Sequence, residues 1–144
     1  MRVADFVIQY LKNKNIKTFF SVTGRGSLFL NDALARNKDV KSFFFHHEQS
    51  AAIAAEAYGR IQNNIGVAIV TSGPGSTNAI TGLLGAWIES VPLMIISGQV
   101  KTSDLKGNSG VRQMGPQEVD IVSIVKPITK YATTVKDPTK LDRS

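Results

Sequence analysis

The sequence predicts an α/β fold, a three-layer domain with a mostly parallel sheet and helices on both faces. Two observations support this prediction. Segments with helical periodicity alternate with short β-rich segments, and turns of small or polar residues follow several of the strand segments. Such alternation is typical of a parallel sheet covered by helices on both sides. At 144 residues the chain is long enough to bury the core of one domain, so we assign residues 1–144 to a single domain.

Each predicted element has a local signature. Apolar residues recur at helical spacing in the first helix, alanine dominates the third, and the strands are short runs of apolar or aromatic residues. The predicted order is helix 3–11, strand 18–22, helix 28–34, strand 42–45, helix 49–60, strand 66–70, a helix ending near 88, and strand 92–97. The strand at 42–45 is predicted to be buried because it is almost entirely aromatic.

The segments between and after these elements carry weaker signals. Residues 71–78 predict a loop that opens the fourth helix. Residues 98–118 show no clear period, and an irregular stretch of that length is either functional or mobile. A short helix at 118–124 and a strand-like tail at 128–135 complete the prediction.

The composition excludes several classes of site. The chain has no cysteine, which excludes disulfides, cysteine-ligated zinc, iron–sulfur clusters and thiol catalysis, and fits a reducing compartment. Its two histidines, His46 and His47, are adjacent, and we interpret them as strand-end residues with satisfied hydrogen bonds. No metal site is predicted within this chain.

The charge pattern argues against nucleic acid as a partner, and the short apolar runs argue against a membrane. The net charge is +6, but the charges are scattered and form no long run of one sign. The longest apolar run is far shorter than the roughly 20 residues that span a bilayer, and the amino terminus lacks a signal-peptide profile. We therefore expect a cytoplasmic protein. Residues 49–100 contain only Glu56, Arg60 and Glu89 as charged side chains, which predicts a core or an interface.

Three informative segments follow predicted strands, namely residues 23–27, 46–48 and 71–78. In parallel sheets the ligand crevice lies beyond the carboxyl ends of the strands, where the strand order reverses. Residues 71–78 contain neither a P-loop nor a dinucleotide fingerprint, because no lysine follows Gly75 and Asn78 stands where a third glycine would be needed. Either this loop approaches a flat ligand closely through Gly73 and Gly75, or it is a plain turn with Ser76 or Thr77 as helix cap.

Glu48 is the sharpest candidate for chemistry. It follows an aromatic strand, precedes an alanine-rich helix and has no basic neighbour in sequence. A carboxylate that is partly removed from water can hold or share a proton near neutral pH. The alternative is that Glu48 lies in the first turn of its helix, where the positive end of the helix dipole favours a carboxylate.

The small-residue helices allow two interpretations. Residues 50–57 are rich in alanine, and residues 79–86 combine alanine and glycine with a few larger apolar side chains. Their small side chains permit close helix approach, either between subunits of an oligomer or within the domain on its own sheet.

Four segments together resemble a known family. They are residues 45–52 (FHHEQSAA), 55–60 (AEAYGR), 70–78 (VTSGPGSTN) and 97–100 (SGQV). They look like the pyrimidine-binding domain of thiamine-diphosphate-dependent enzymes of the acetolactate synthase group, and the similarity covers nearly the whole chain. The resemblance implies the thiamine-diphosphate-binding fold. Because family subunits are several times longer, it also implies an amino-terminal fragment that lacks the middle and diphosphate-binding domains.

The resemblance implies roles for individual residues. Glu48 matches the glutamate that hydrogen-bonds a ring nitrogen of the cofactor's aminopyrimidine and promotes the tautomer that activates the thiazolium carbon. Gln117 matches a glutamine that reaches toward the substrate from the neighbouring subunit. The matching cofactor-contact positions are Val22, Thr23, Pro74 and Asn78.

The resemblance also implies partners and a reaction. It implies a dimer or tetramer that decarboxylates a 2-keto acid and transfers the resulting carbanion, with pyruvate to 2-acetolactate as the first choice. Mg²⁺ would bind in the absent diphosphate domain, and some relatives bind FAD in the middle domain, so FAD stays open here. This fragment alone would be inactive.

Two departures keep other activities open. Acetolactate synthases usually carry Tyr where Val22 stands and Phe where Pro116 stands. The alternatives are therefore another thiamine-diphosphate lyase or decarboxylase of the same group, or a binding and assembly module without catalysis.

Overall fold

A computed structural model describes residues 1–143, without the side chains of Lys140, Asp142 and Arg143. Helices and strands alternate as the sequence predicts. The elements are α1 (Val3–Asn13), β1 (Thr18–Ser21), α2 (Leu28–Arg36), β2 (Lys41–Phe44), α3 (Glu48–Gln62), β3 (Gly66–Val70), α4 (Pro74–Asn78), α5 (Ile80–Ile88), β4 (Leu93–Ser97) and α6 (Ile121–Val125). Short 3₁₀ turns occur at Arg25–Ser27, Thr102–Asp104, Lys126–Ile128 and Pro138–Arg143.

The four strands form one parallel sheet in the order β2-β1-β3-β4. In register, Phe20 of β1 lies between Phe43 of β2 and Ala68 of β3. The chain moves outward from β1 to β2 and then returns to the other side of β1 for β3 and β4. The strand order therefore reverses between β1 and β3, and the carboxyl ends of these two strands flank the crevice where α/β sheets bind ligands.

Alternate residues of the strands point to opposite faces of the sheet. Phe19, Val67 and Ile69 are buried beneath α1 and α2, in a cluster that includes Ile8 and Leu34. On the other face, Phe20 and Ala68 form a cluster with Ala51 and Ala55 of α3. The prediction of a parallel sheet with helices on both faces is confirmed.

The small residues of α3 and α5 pack within the domain. A Cβ atom added to Gly66 would lie 1.8 Å from the carbonyl oxygen of Ala55, and one added to Gly82 would lie 2.7 Å from Cβ of Ala52. Close helix–strand and helix–helix approach therefore requires both glycines. Larger apolar side chains of the same helices stay exposed, and they are Ile53, Ile61, Leu84, Trp87 and Ile88.

The predicted buried strand at 42–45 is instead the exposed edge strand β2. Phe43 and Phe44 are 50% and 53% exposed. One face of Phe43 stacks on Phe20, with ring centroids 5.7 Å apart. The prediction was wrong because an aromatic run indicates a strand but not its place in the sheet, and β2 has a neighbouring strand only on its β1 side.

Two further predictions need correction. Residues 74–78, predicted as loop, form the short helix α4, which α5 follows after a break at Ala79. The predicted strand-like tail at 128–135 contains no strand. Its β-branched and aromatic residues favour an extended chain, but a strand also needs a neighbour to pair with, and no sheet strand of the described chain pairs with this tail.

Candidate cofactor site

The turns after three strands meet at one edge of the sheet. The backbone N–H of Gly26, after β1, donates a hydrogen bond to Oγ1 of Thr71, after β3, at 3.0 Å. A Cβ atom added to Gly24 would lie 2.4 Å from Cβ of Thr71, and one added to Gly98, after β4, would lie 2.3 Å from the carbonyl oxygen of Gly26. Glycine at these positions lets the three turns touch, which forms the floor of the predicted crevice.

Glu48 enters this edge at the start of α3. His47 caps the helix, with Nδ1 accepting a hydrogen bond from the backbone N–H of Gln49 at 3.1 Å. Glu48 is 9% exposed, and Nδ2 of Asn78 donates a hydrogen bond to its Oε2 at 3.0 Å. The carboxylate is thus buried, as predicted, and its described partner is an amide rather than a lysine or arginine. Glu48 also lies in the first turn of the helix, so burial and the first-turn position occur together, while its proton-sharing role stays a prediction.

Asn78 reaches Glu48 because of the way α4 begins. Gly73 adopts a positive φ of 61° as the residue before the helix, and Pro74 occupies the first helical position, where its missing N–H costs nothing. The alternative in which Ser76 or Thr77 caps the helix after this segment is wrong, since α5 has Ala79 at its N-cap and no side-chain cap bond. Their hydroxyls donate to the carbonyl oxygens of Gly73 and Pro74, and neither accepts from the helix N-terminus.

Gly75 keeps the space beside Glu48 open. A Cβ atom at this position would lie 3.2 Å from Oε1 of Glu48 and 2.5 Å from Cγ2 of Thr71. Among the described residues Glu48 uses only Oε2 for a side-chain hydrogen bond, so Oε1 remains available. An accessible carboxyl oxygen on a largely buried side chain, next to a backbone without a side chain, fits a flat, weakly basic heterocycle, and the residues present therefore suit an aminopyrimidine.

Gln117 and Pro74 lie on opposite sides of one glycine. Gln117 adopts φ of 59°, and its carbonyl oxygen would lie 2.4 Å from a Cβ atom on Gly73. Pro74, the next residue, is exposed. The structure thus brings Gln117 next to Gly73 across 44 positions of sequence, while the described contacts do not join it to Glu48.

Val22 and Thr23 differ in their surroundings. The backbone N–H of Val22 donates to the carbonyl oxygen of Ile69 at 3.3 Å, and its side chain packs against the cluster that includes Ala51, one turn after Glu48. Thr23 is exposed. No described contact links Thr23 to Glu48, so its predicted cofactor contact stays a prediction.

The described residues include no group of three or more His, Asp or Glu placed to hold a metal ion. None of the helices in residues 1–143 combines the length and apolar character needed to cross a membrane. Two clefts, of about 340 and 250 Å³, lie elsewhere, one between α1 and the carboxyl-terminal tail and one around Lys17, Tyr58 and Asn64.

Sequence reasoning did not predict the roles that three residues have in the structure, although it expected the hydrogen bonds of His47 to be satisfied. Thr71 ties two turns together, His47 caps α3, and Glu118 accepts backbone hydrogen bonds from the segment before it. The capping role of His47 could have been predicted, because it is a polar residue close before an alanine-rich helix. For Thr71 and Glu118 the partners are not apparent from local sequence.

Comparison with known proteins agrees with this geometry. The family model described as thiamine pyrophosphate enzyme, N-terminal TPP binding domain, matches residues 1–124. The acetolactate synthase large subunit of Lactococcus lactis subsp. lactis (strain IL1403) is 36% identical over 140 residues, which cover 97% of this chain and 23% of that protein. The acetolactate synthase large subunit of Buchnera aphidicola subsp. Schizaphis graminum (strain Sg) is 41% identical over 133 residues, which cover 92% of this chain and 22% of that protein.

A plant relative is similar at the same level. The chloroplastic acetolactate synthase of Arabidopsis thaliana is 35% identical over 143 residues, which cover 97% of this chain and 20% of that protein. The chain thus spans about a fifth of the length of the curated relatives that it matches.

Proposed function

Because the chain belongs to the thiamine pyrophosphate enzymes, as their N-terminal TPP binding domain, we propose that it is the pyrimidine-binding part of a longer, acetolactate synthase-like subunit. The subunit would decarboxylate a 2-keto acid and transfer the product carbanion to an acceptor, with pyruvate to 2-acetolactate as the first candidate. Relatives named as acetolactate synthases support this proposal. The middle and diphosphate-binding domains would lie outside this chain.

The observation that carries the proposal is the burial of Glu48 beside Asn78 and Gly75. The amide of Asn78 holds Oε2, which leaves Oε1 directed at the space that Gly75 keeps clear. At Oε1 the carboxyl group would hold or share a proton with a ring nitrogen. The bound cofactor would supply a carbon nucleophile that stabilises the negative charge left by decarboxylation.

The other residues would bind and orient the ring. Pro74, exposed at the first position of α4, would present a rigid surface that a flat ring can approach, because its ring has little conformational freedom. Val22, directly after β1, would support the same edge through its contact with the cluster that includes Ala51 of α3. Gln117, exposed beside Gly73, would extend toward the substrate.

Further groups belong to parts outside this chain. Mg²⁺ would be held by the diphosphate-binding domain, and FAD, if the enzyme carries one, by the middle domain. We expect the complete enzyme in the cytoplasm, since the chain contains no cysteine.

We further propose a homodimer or tetramer assembled through α3 and α5. The exposed apolar side chains of these helices include Ile53, Ile61, Leu84, Trp87 and Ile88, and a second subunit would cover them. The small residues of the two helices are already packed within the domain, so the larger outward side chains, and not the alanines, would make the intersubunit contact.

The decisive experiment is Glu48→Gln in the full-length protein. With thiamine diphosphate and Mg²⁺ present, CO₂ release is measured for a panel of 2-keto acids. We expect turnover to fall by about 100-fold or more, because the amide cannot exchange a proton as the acid does. Glu56→Gln is the matched control, since Glu56 lies on the same helix but pairs with Arg60, and we expect it to keep wild-type turnover.

Two results would overturn the assignment. Unchanged turnover in Glu48→Gln would remove the role of the carboxylate. The absence of CO₂ release from every acid, together with no calorimetric binding of thiamine diphosphate, would favour a binding and assembly module instead.

A further inference from the structure

The irregular segment between β4 and α6 is organised around a single carboxylate. Oε1 of Glu118 accepts a hydrogen bond from the backbone N–H of Lys106 at 2.8 Å, and Oε2 accepts one from Met114 at 2.9 Å. The backbone N–H of Glu118 itself donates to the carbonyl oxygen of Gly115 at 3.2 Å. One side chain therefore closes residues 106–118 into a loop.

A second set of contacts fixes this loop next to β4. Nε2 of Gln99 donates to the carbonyl oxygen of Val119 at 2.9 Å, while its Oε1 accepts from the backbone N–H of Val100 at the same distance. Gly115 is buried, and a Cβ atom there would lie 2.6 Å from the side chain of Val100. The start and the end of the segment are thus held together.

Gln117 lies between these anchors in an unfavourable backbone conformation. It is not glycine, yet its φ is 59°. Such a conformation persists where the surrounding structure enforces it. Its backbone packs against Gly73, while its side chain stays exposed. The surrounding residues therefore fix the position of Gln117. Among them is the adjacent Glu118, whose side chain accepts two backbone hydrogen bonds.

We propose that Glu118 is a positioning residue, whose carboxylate folds residues 106–118 and thereby holds Gln117 against Gly73 at the cofactor loop. Only the effect on turnover rests on the proposed function, since the folding of the segment is independent of it. The pKa of Glu118 is lowered, chiefly by the hydrogen bond from Met114, and the carboxylate is therefore ionised at neutral pH.

The structure gives graded variants for a test. In Glu118→Gln one amide oxygen still accepts a hydrogen bond, but the NH₂ group faces a backbone donor, so one of the two bonds is lost. Glu118→Ala loses both. Asp104→Asn is the control, because it removes a negative charge from the same segment while the Asp104 side chain is bonded only to the neighbouring Ser103.

The first readout is tryptic cleavage after Lys106 and Arg112, followed by mass spectrometry of the full-length protein. Cleavage of a folded chain follows the population of its locally open state. We expect cleavage about tenfold faster in Glu118→Ala than in the wild type, a smaller increase in Glu118→Gln and none in Asp104→Asn. A wild-type rate in both Glu118 variants, or an equal increase in Asp104→Asn, would overturn the proposal.

The second readout separates positioning from a general structural effect. The ratio kcat/KM for pyruvate is measured for Glu118→Gln, Gln117→Ala and the double variant. If Glu118 acts through Gln117, Glu118→Gln lowers kcat/KM in the wild-type background and has no further effect in the Gln117→Ala background. Independent, additive losses would contradict the positioning role.

The two proposals fail in different ways. If Glu48→Gln keeps full turnover, or if no variant acts on pyruvate, the proposed function or its substrate is wrong, and the cleavage series alone decides the role of Glu118. If Glu48→Gln loses turnover while the cleavage series is flat, the proposed function stands and the positioning role falls.

Discussion

Nδ2 of Asn78 donates a hydrogen bond to Oε2 of Glu48 at 3.0 Å, which joins the last residue of α4 to the first residue of α3. The bond lies between residues 30 positions apart and orients a buried carboxylate at the point where the sheet order reverses. It leaves the second carboxyl oxygen facing the gap above Gly75. Four predictions test this edge of the sheet and the elements that build it.

Asn78→Ala removes the donor that orients Glu48. Oε2 of Glu48 would lose the hydrogen bond that Asn78 donates, and a buried acceptor left without its partner costs roughly 1–3 kcal/mol in general. We expect kcat to fall by about tenfold or more, measured as CO₂ release by the full-length protein. Asn13→Ala is the control, since Asn13 is exposed and, among the described residues, its side chain bonds to Gln9 on the same helix. Equal activity of the two variants would show that Asn78 does not orient the carboxylate.

Gly75→Ala places a methyl group where none fits. Its Cβ would lie 2.5 Å from Thr71 and 3.2 Å from Glu48, so we expect a loss of roughly 1–3 kcal/mol in the free energy of unfolding and weaker calorimetric binding of thiamine diphosphate. In Gly85→Ala nothing lies within 4 Å of the new Cβ, and a helix interior gains roughly 0.5–1 kcal/mol from alanine. In urea unfolding, the free energy of unfolding should fall below that of the wild type in Gly75→Ala and rise above it in Gly85→Ala.

His47→Ala removes the cap of α3. The backbone N–H of Gln49 would lose its acceptor, and the loss of an N-cap typically costs about 1 kcal/mol. We expect thermal unfolding to shift to lower temperature and His47→Asn to restore it, because asparagine also accepts this bond. His46→Ala, which changes an exposed neighbour, should behave as the wild type. Failure of the asparagine rescue would refute the capping role.

The contribution of Glu118 to stability should vanish in acid. Hydrogen bonds from the backbone of Met114 and then of Lys106, together with the charge of Lys106, lower its pKa below the ordinary 4.5. A lowered folded-state pKa means that the stabilisation is complete above 4.5 and is lost as the pH falls through the folded value. The wild type should therefore exceed Glu118→Gln in free energy of unfolding at pH 7, with the difference closing below pH 4.5.

The measurement is urea unfolding of both proteins from neutral to acidic pH. Asp104→Asn serves as the control for charge. Glu118→Gln cannot titrate at this position, so a gap that stays constant with pH would show that the ionised carboxylate is not what stabilises the segment.

Local sequence patterns were enough to locate most elements. Helical periodicity in residues 3–11, the alanine-rich stretch after Glu48 and the short β-rich runs predicted the alternation that the structure shows. The sequence predicted that Glu48 follows a strand, because the aromatic run before it and the alanine-rich stretch after it are both adjacent to it in the chain. The edge position of β2 could not be predicted, because aromatic residues favour both central and edge strands.

What the sequence determined by itself is the α/β class, the cofactor family and the burial of Glu48, since each depends on neighbouring residues and short motifs. Only the tertiary structure decided that Asn78 holds that carboxylate, that Gln117 packs on Gly73 and that Glu118 folds the segment between β4 and α6. These contacts join residues through the order of the strands and the backbone hydrogen bonds of an irregular loop. The strand order and these loop hydrogen bonds produce no periodic pattern in the sequence. Both depend on which distant segments meet, and not on which residues are adjacent in the chain.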